Sequence, residues 1–119
     1  MKTNNIIVDK SKAFAVRIIN LYKYLCEEKH EYILSKQLLR SGTSIGANVK
    51  EAVRGQSKDD FIHKMSISLK EASESEYWIE LLFETDYITK QQFSGIIDDC
   101  RELIKMLTSI IKSSRGEGK

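Results

Sequence analysis

Apolar residues recur along this chain at intervals of three and four, the period of helices that bury one face. Phe14, Ile18, Leu21 and Leu25 follow this spacing and predict a first helix from Asp9 or Ser11 to Glu28. The charged run Lys29-His30-Glu31 interrupts it. A second helix is expected from about Tyr32 to the glycine-containing stop Val53-Arg54-Gly55, with Leu34, Leu38, Ile45, Val49 and Ala52 on its apolar face. Ser57-Lys58-Asp59-Asp60 reads as the capped start of a third helix reaching about Glu84, with Phe61, Met65, Leu69, Ala72, Ile79 and Phe83 inward and Ser68 and Ser75 beside them. Thr89 and Gln92 have capping-box spacing ahead of a fourth helix built on Phe93, Ile96, Ile97, Cys100, Leu103, Ile104, Leu107, Ile110 and Ile111.

The connections are short and no strand pattern competes. The expected fold is therefore all-α, an antiparallel up-down-up-down four-helix bundle. Residues 1–8 read as an N-terminal extension, 9–113 as the bundle and 114–119 as a disordered polar tail. The 119 residues contain no proline, so nothing breaks the long helices from within. That length suits one domain.

Charge and cysteine content narrow the classes. A net charge of +2 gives no global attraction to nucleic acid and leaves only local basic patches to consider. No apolar run suits a membrane span, and residues 1–9 lack the apolar core of a signal peptide, so a cytoplasmic protein is expected. Cys26 and Cys100 lie far apart within apolar-periodic segments and read as reduced, buried thiols.

One stretch departs from good helical composition. Leu39 to Ala52 keeps its apolar period while carrying two glycines, two serines, a threonine and an asparagine. An interior glycine costs roughly 0.8–1 kcal/mol relative to alanine, so tertiary packing must offset these residues. Projected on a helix, Gly42 and Gly46 form a ridge on one border of the apolar face, where a neighbour can approach closely. Arg40, Ser41, Ser44, Asn48 and Glu51 form a polar strip on the other border. On the third helix Glu76 projects among apolar residues while Glu71 and Glu74 fall elsewhere, which nominates Arg40 as the cation for Glu76.

Two patterns suggest metal chemistry: Glu27-Glu28-Lys29-His30 and Asp60-Phe61-Ile62-His63 each place a carboxylate three residues before a histidine. Di-iron bundles use that spacing on paired helices, but here one pattern ends the first helix and the other opens the third, at opposite poles. No cofactor is expected, and a small metalloenzyme is the remote reading. A different candidate surface is basic: Lys36, Arg40, Lys50 and Arg54 project within one sector of the second helix, where they could meet successive phosphates.

The segment Leu39-Arg40-Ser41-Gly42-Thr43-Ser44-Ile45-Gly46-Ala47-Asn48-Val49-Lys50-Glu51-Ala52 resembles the signature of the four-helix-bundle proteins encoded in 23S ribosomal RNA intervening sequences. The run from Phe61 to Trp78 and the early Phe14-Ala15-Val16-Arg17-Ile18 resemble that family too. The resemblance implies assembly into a homopentameric ring. It also implies kinship with accessory subunits of diversity-generating retroelements, which bind reverse transcriptase and nucleic acid. It carries the family pattern onto Arg40, Ser41, Ser44, Asn48, Glu51 and Glu74, as structural or assembly determinants. The expected function is a non-catalytic oligomeric scaffold for RNA or a ribonucleoprotein; the alternative is an adaptor recruiting a reverse transcriptase or another enzyme.

Overall fold

The computed structural model describes residues 2–116, with side chains from Ile6 onward. Four helices account for nearly all of them: α1 (Lys2–Glu27), α2 (Leu34–Val53), α3 (Lys58–Glu84) and α4 (Lys90–Ser114). The described residues are all-α. Each helix packs against its neighbours in chain order, and α4 returns to α1 across the thinnest seam of the four. No described helix is long and apolar enough to cross a membrane.

The first helix begins earlier than its apolar period indicates. Residues 2–8, expected to lie outside the bundle, belong to α1, and Ile7 is fully buried in the core. Val8 packs against that core as well. At the other end, Ser114 is the last helical residue, and the part of the expected tail at 117–119 lies outside the described residues.

The helix ends follow local chemistry. Ser57 accepts a hydrogen bond from the Asp60 N–H and so caps α3, whose first turn holds Asp59 and Asp60 against the positive end of the helix dipole. Thr89 and Gln92 satisfy each other's backbone N–H groups in a full capping box at the start of α4. After α3, Asp86 takes a left-handed conformation, and the Tyr87 and Asp86 N–H groups bond back to the Leu82 and Phe83 carbonyls. That double return closes the helix as a Schellman motif.

The start of α2 differs from expectation. It begins at Leu34 rather than near Tyr32, because Glu31 acts as its cap from outside the helix. The Glu31 carboxylate accepts from the Ile33, Leu34 and Ser35 N–H groups at 3.2, 2.9 and 2.7 Å. Burial works against its charge, but those backbone donors prevail and hold its carboxyl below the usual carboxylate range.

The core runs the length of the bundle through Phe14, Ile18, Leu25, Leu38, Ile45, Val49, Met65, Ala72, Ile79, Leu103 and Leu107, all buried. Phe61, Leu69 and Phe83 sit at its margin, and Leu82 takes a central position on α3 instead.

Candidate functional site

The polar residues of α2 separate into three environments. The first is the α1 border. A side chain at Gly42 would place its Cβ 2.9 Å from Ile18 Cγ1, and one at Gly46 would sit 3.3 Å from the Ser11 carbonyl oxygen. The two glycines thus let α1 approach α2 within the same chain. Helix propensity is traded for close packing.

The second environment is the buried α2/α3 seam. Ser41 and Ser75 are fully buried, with their hydroxyl oxygens 2.8 Å apart. Ser75 donates to the Glu71 carbonyl at 2.9 Å, so Ser41 is left to donate to Ser75 in a short relay. Ser68, also buried, donates across the seam to the Ile45 carbonyl at 2.8 Å. Hydroxyls replace methyl groups here at little cost because each finds a partner.

The third environment is the rim of that seam. Arg40 binds Glu71 at 3.1 Å and also pairs with Glu74, whose carboxylate accepts the Trp78 indole N–H at 3.0 Å. The Trp78 hydrogen bond, joined by Arg40, holds the Glu74 carboxyl below its ordinary value despite partial burial. The expected Arg40–Glu76 pair does not form. Glu76 faces α4, where Arg101 binds it at 2.8 Å and reaches Glu80 at 3.5 Å. Glu76 lies almost opposite Glu74 around a helix of ~100° per residue, so one cation on α2 cannot serve both. Ser44 and Asn48 donate to the carbonyls of Arg40 and Ser44, one turn back on α2 itself. Glu51 pairs with Lys64 at 3.0 Å.

The basic strip is likewise divided. Arg40 is committed to its two carboxylates, whereas Lys36, Lys50 and Arg54 are exposed and lack an ion pair among the described residues. Lys36 stands in the first turn of α2 and Arg54 at its C-cap, roughly 27 Å apart at ~1.5 Å per residue. The strip is a line along the helix, not a compact patch. Other exposed cations, Lys58, Lys112 and Arg115, sit at the start of α3 and the end of α4, outside any single helical sector.

His30 lies in the α1–α2 connection with Nδ1 3.1 Å from the Tyr32 hydroxyl, and His63 is exposed on α3. Among the described residues no group of three or more His, Cys, Asp or Glu side chains is placed to hold a metal ion. Cys100 is buried and donates to the Ala72 carbonyl at 3.3 Å, and burial pushes its thiol up to about 12. Cys26 is half-buried beside Ser35 and the Glu31 carbonyl.

A family model for the 23S rRNA-intervening sequence protein matches residues 3–109. Among solved structures, the chain is similar to a protein of unknown function from the S23 ribosomal protein family of Bacteroides thetaiotaomicron, determined at 1.70 Å resolution. The two are 57% identical with a TM-score of 0.91, over 92% of this chain and 98% of that one. A search of the curated proteins finds no match.

Proposed function

The chain belongs to the 23S rRNA-intervening sequence protein family, and on that premise we propose a non-catalytic, self-assembling scaffold that engages RNA or a ribonucleoprotein in the cytoplasm. In this reading the bundle is up-down-up-down. Support comes from pairings that run in opposite chain directions: Gly42 with Ile18 and Gly46 with Ser11, Ser41 with Ser75 and Ile45 with Ser68. The α1/α4 pairs, Arg17 with Asp99 and Lys10 with Glu102, run the same way.

That topology gathers the N-terminus of α1, the α2–α3 turn and the C-terminus of α4 at one end. Exposed Arg54, Lys58, Lys112 and Arg115 then share it, with Lys50 one turn inward. This concentration of cations, none with an ion pair among the described residues, is the observation that carries the RNA reading. Asp59 and Asp60 are drawn to the same end by the α3 N-terminus and temper it. A near-neutral protein can thus present to phosphates an end where cations outnumber those two acids. Assembly into a ring of five, as the family resemblance implies, would set several such ends side by side and multiply weak contacts.

The test is purification at low salt, with solution mass and co-purifying RNA measured together. The expected outcome is an oligomer that retains RNA and releases it steeply as salt rises. Arg54→Glu with Arg115→Glu should abolish retention while helicity is unchanged; RNA affinity equal to wild type would sink the reading. Salt-insensitive capture of a protein partner with no RNA would move the function to an adaptor.

A further inference from the structure

Two faces of the bundle complement each other. The α1 sequence holds five basic residues against two acidic, and α3 holds three basic against seven acidic. Because each helix packs only on its chain neighbours and α4 on α1, the α1/α2 face and the α3/α4 face lie on opposite sides.

The α1/α2 face carries an open groove of about 340 Å³ between Val8, Asp9 and Lys12 of α1 and Gly46, Ala47 and Lys50 of α2. Its floor is apolar and shallow because Gly46, Ala47 and Ala15 lack bulk, and Lys12 and Lys50 outnumber Asp9 around it, which leaves a net positive charge. Ile19, 38% exposed one turn beyond Ala15, extends the apolar lining.

The opposite face offers what such a groove would take. Tyr77 on α3 is 54% exposed, and its ring is steadied edge-on against Trp78 at a centroid distance of 5.2 Å. An exposed, pre-ordered aromatic is a favourable anchor, since little side-chain freedom is lost on docking. Glu76, Glu80 and Glu84 flank Tyr77 on the same helix, the first two sharing Arg101 and Glu84 exposed, and Asp98 stands nearby on α4.

We propose that the α1/α2 groove is the docking site for the α3 face of a second copy of this chain, with Tyr77 seated in the groove and the α3 carboxylates meeting Lys12 and Lys50. This rests on the self-assembly reading above and specifies its contact. The contact is heterologous: each copy offers one groove and one tyrosine, so the assembly closes as a ring or continues as a filament. Within a ring every copy has the same orientation, and all basic ends fall on one side.

Two variants isolate the two faces. Ala47→Glu with Lys50→Glu spoils the groove, and Tyr77→Ala removes the anchor; all three positions are exposed, so both variants should keep wild-type helicity and melting. Each alone is expected to weaken association at least about tenfold, because the groove variant sets like charges across the contact and the Tyr77 variant loses the aromatic anchor. Mixed together, they should form a two-chain species and nothing larger, since one intact groove and one intact tyrosine remain. An assembled wild type whose variants stay equally assembled would overturn this contact and leave the assembly reading intact. A mixture that remains monomeric overturns it as well. A wild type that is monomeric at every concentration overturns both readings. Loss of RNA from the groove variant with its mass unchanged would assign the groove to RNA instead.

Discussion

The α2/α3 and α1/α4 seams join helices of similar length by different means. Between α2 and α3, hydroxyls at Ser41, Ser68 and Ser75 lie fully buried and hydrogen-bonded, and the Arg40–Glu71–Glu74–Trp78 cluster closes the rim. Between α1 and α4 the polar contacts are two exposed ion pairs, Lys10–Glu102 and Arg17–Asp99, spanning a groove of about 270 Å³. Water competes with the second kind of contact and not with the first, so polar contacts of similar length carry unequal free energy. The bundle is built outward from α2, whose two borders grip α1 and α3. The α4 return to α1 closes it more loosely.

The strongest way to break that arrangement is to fill the α1 border of α2. Gly42→Leu forces side-chain atoms into Ile18, whose Cγ1 would lie only 2.9 Å from the new Cβ. Overpacking of this kind costs about 1–3 kcal/mol and sometimes more. Chemical denaturation should show a loss in that range. A stability within error of wild type would show that α1 can retreat freely, and that α2 is not the centre of the fold.

Much of this was legible from the chain. The period of three and four located four helices, and the Ser57 and Thr89 caps fell where their side-chain chemistry required. Composition also singled out α2, since its glycines and serines made sense only with close neighbours. Pairing was harder to read. Projection put Glu76 near an apolar arc, but which helix it met depended on how α3 is rotated between α2 and α4, a property of three helices together. Glu31 was hidden because a capping carboxylate three residues before a helix looks like an ordinary loop charge. The early start of α1 was missed because Asn4 and Asn5 are poor helix formers, while the burial of Ile7 that anchors the segment is a tertiary fact. Helical projection reached only Lys50 and Arg54 of the proposed basic end, because Lys58, Lys112 and Arg115 come from the termini of other helices.

A smaller effect separates the members of the serine relay. Ser75→Ala removes the acceptor of Ser41 and leaves that buried hydroxyl with only the Leu38 carbonyl, at 3.4 Å. Ser41→Ala leaves Ser75 still donating to the Glu71 carbonyl. Ser75→Ala should therefore cost about 1 kcal/mol or somewhat more, and Ser41→Ala less. The double variant should cost less than the two losses added, because one bond is counted in both. Strict additivity would show that the two hydroxyls act independently and that the relay does not strengthen this seam.

The smallest effect is expected across α1 and α4. Asp99→Asn removes the charge that Arg17 holds at 2.6 Å, but the two side chains are 48% and 46% exposed. Exposed pairs contribute about 0–1 kcal/mol, and the freed guanidinium regains water. Denaturation in low salt should show a loss below about 0.5 kcal/mol, shrinking further as salt is added. The decisive comparison is with Ser75→Ala in the same buffer. If Asp99→Asn costs as much, the α1/α4 ion pairs stabilise the bundle as strongly as the buried hydroxyls, and the contrast between the seams fails. If its cost is small and vanishes with salt, packing of Phe14 and Leu103 beneath the groove holds α4 to α1, and the surface charges only trim it.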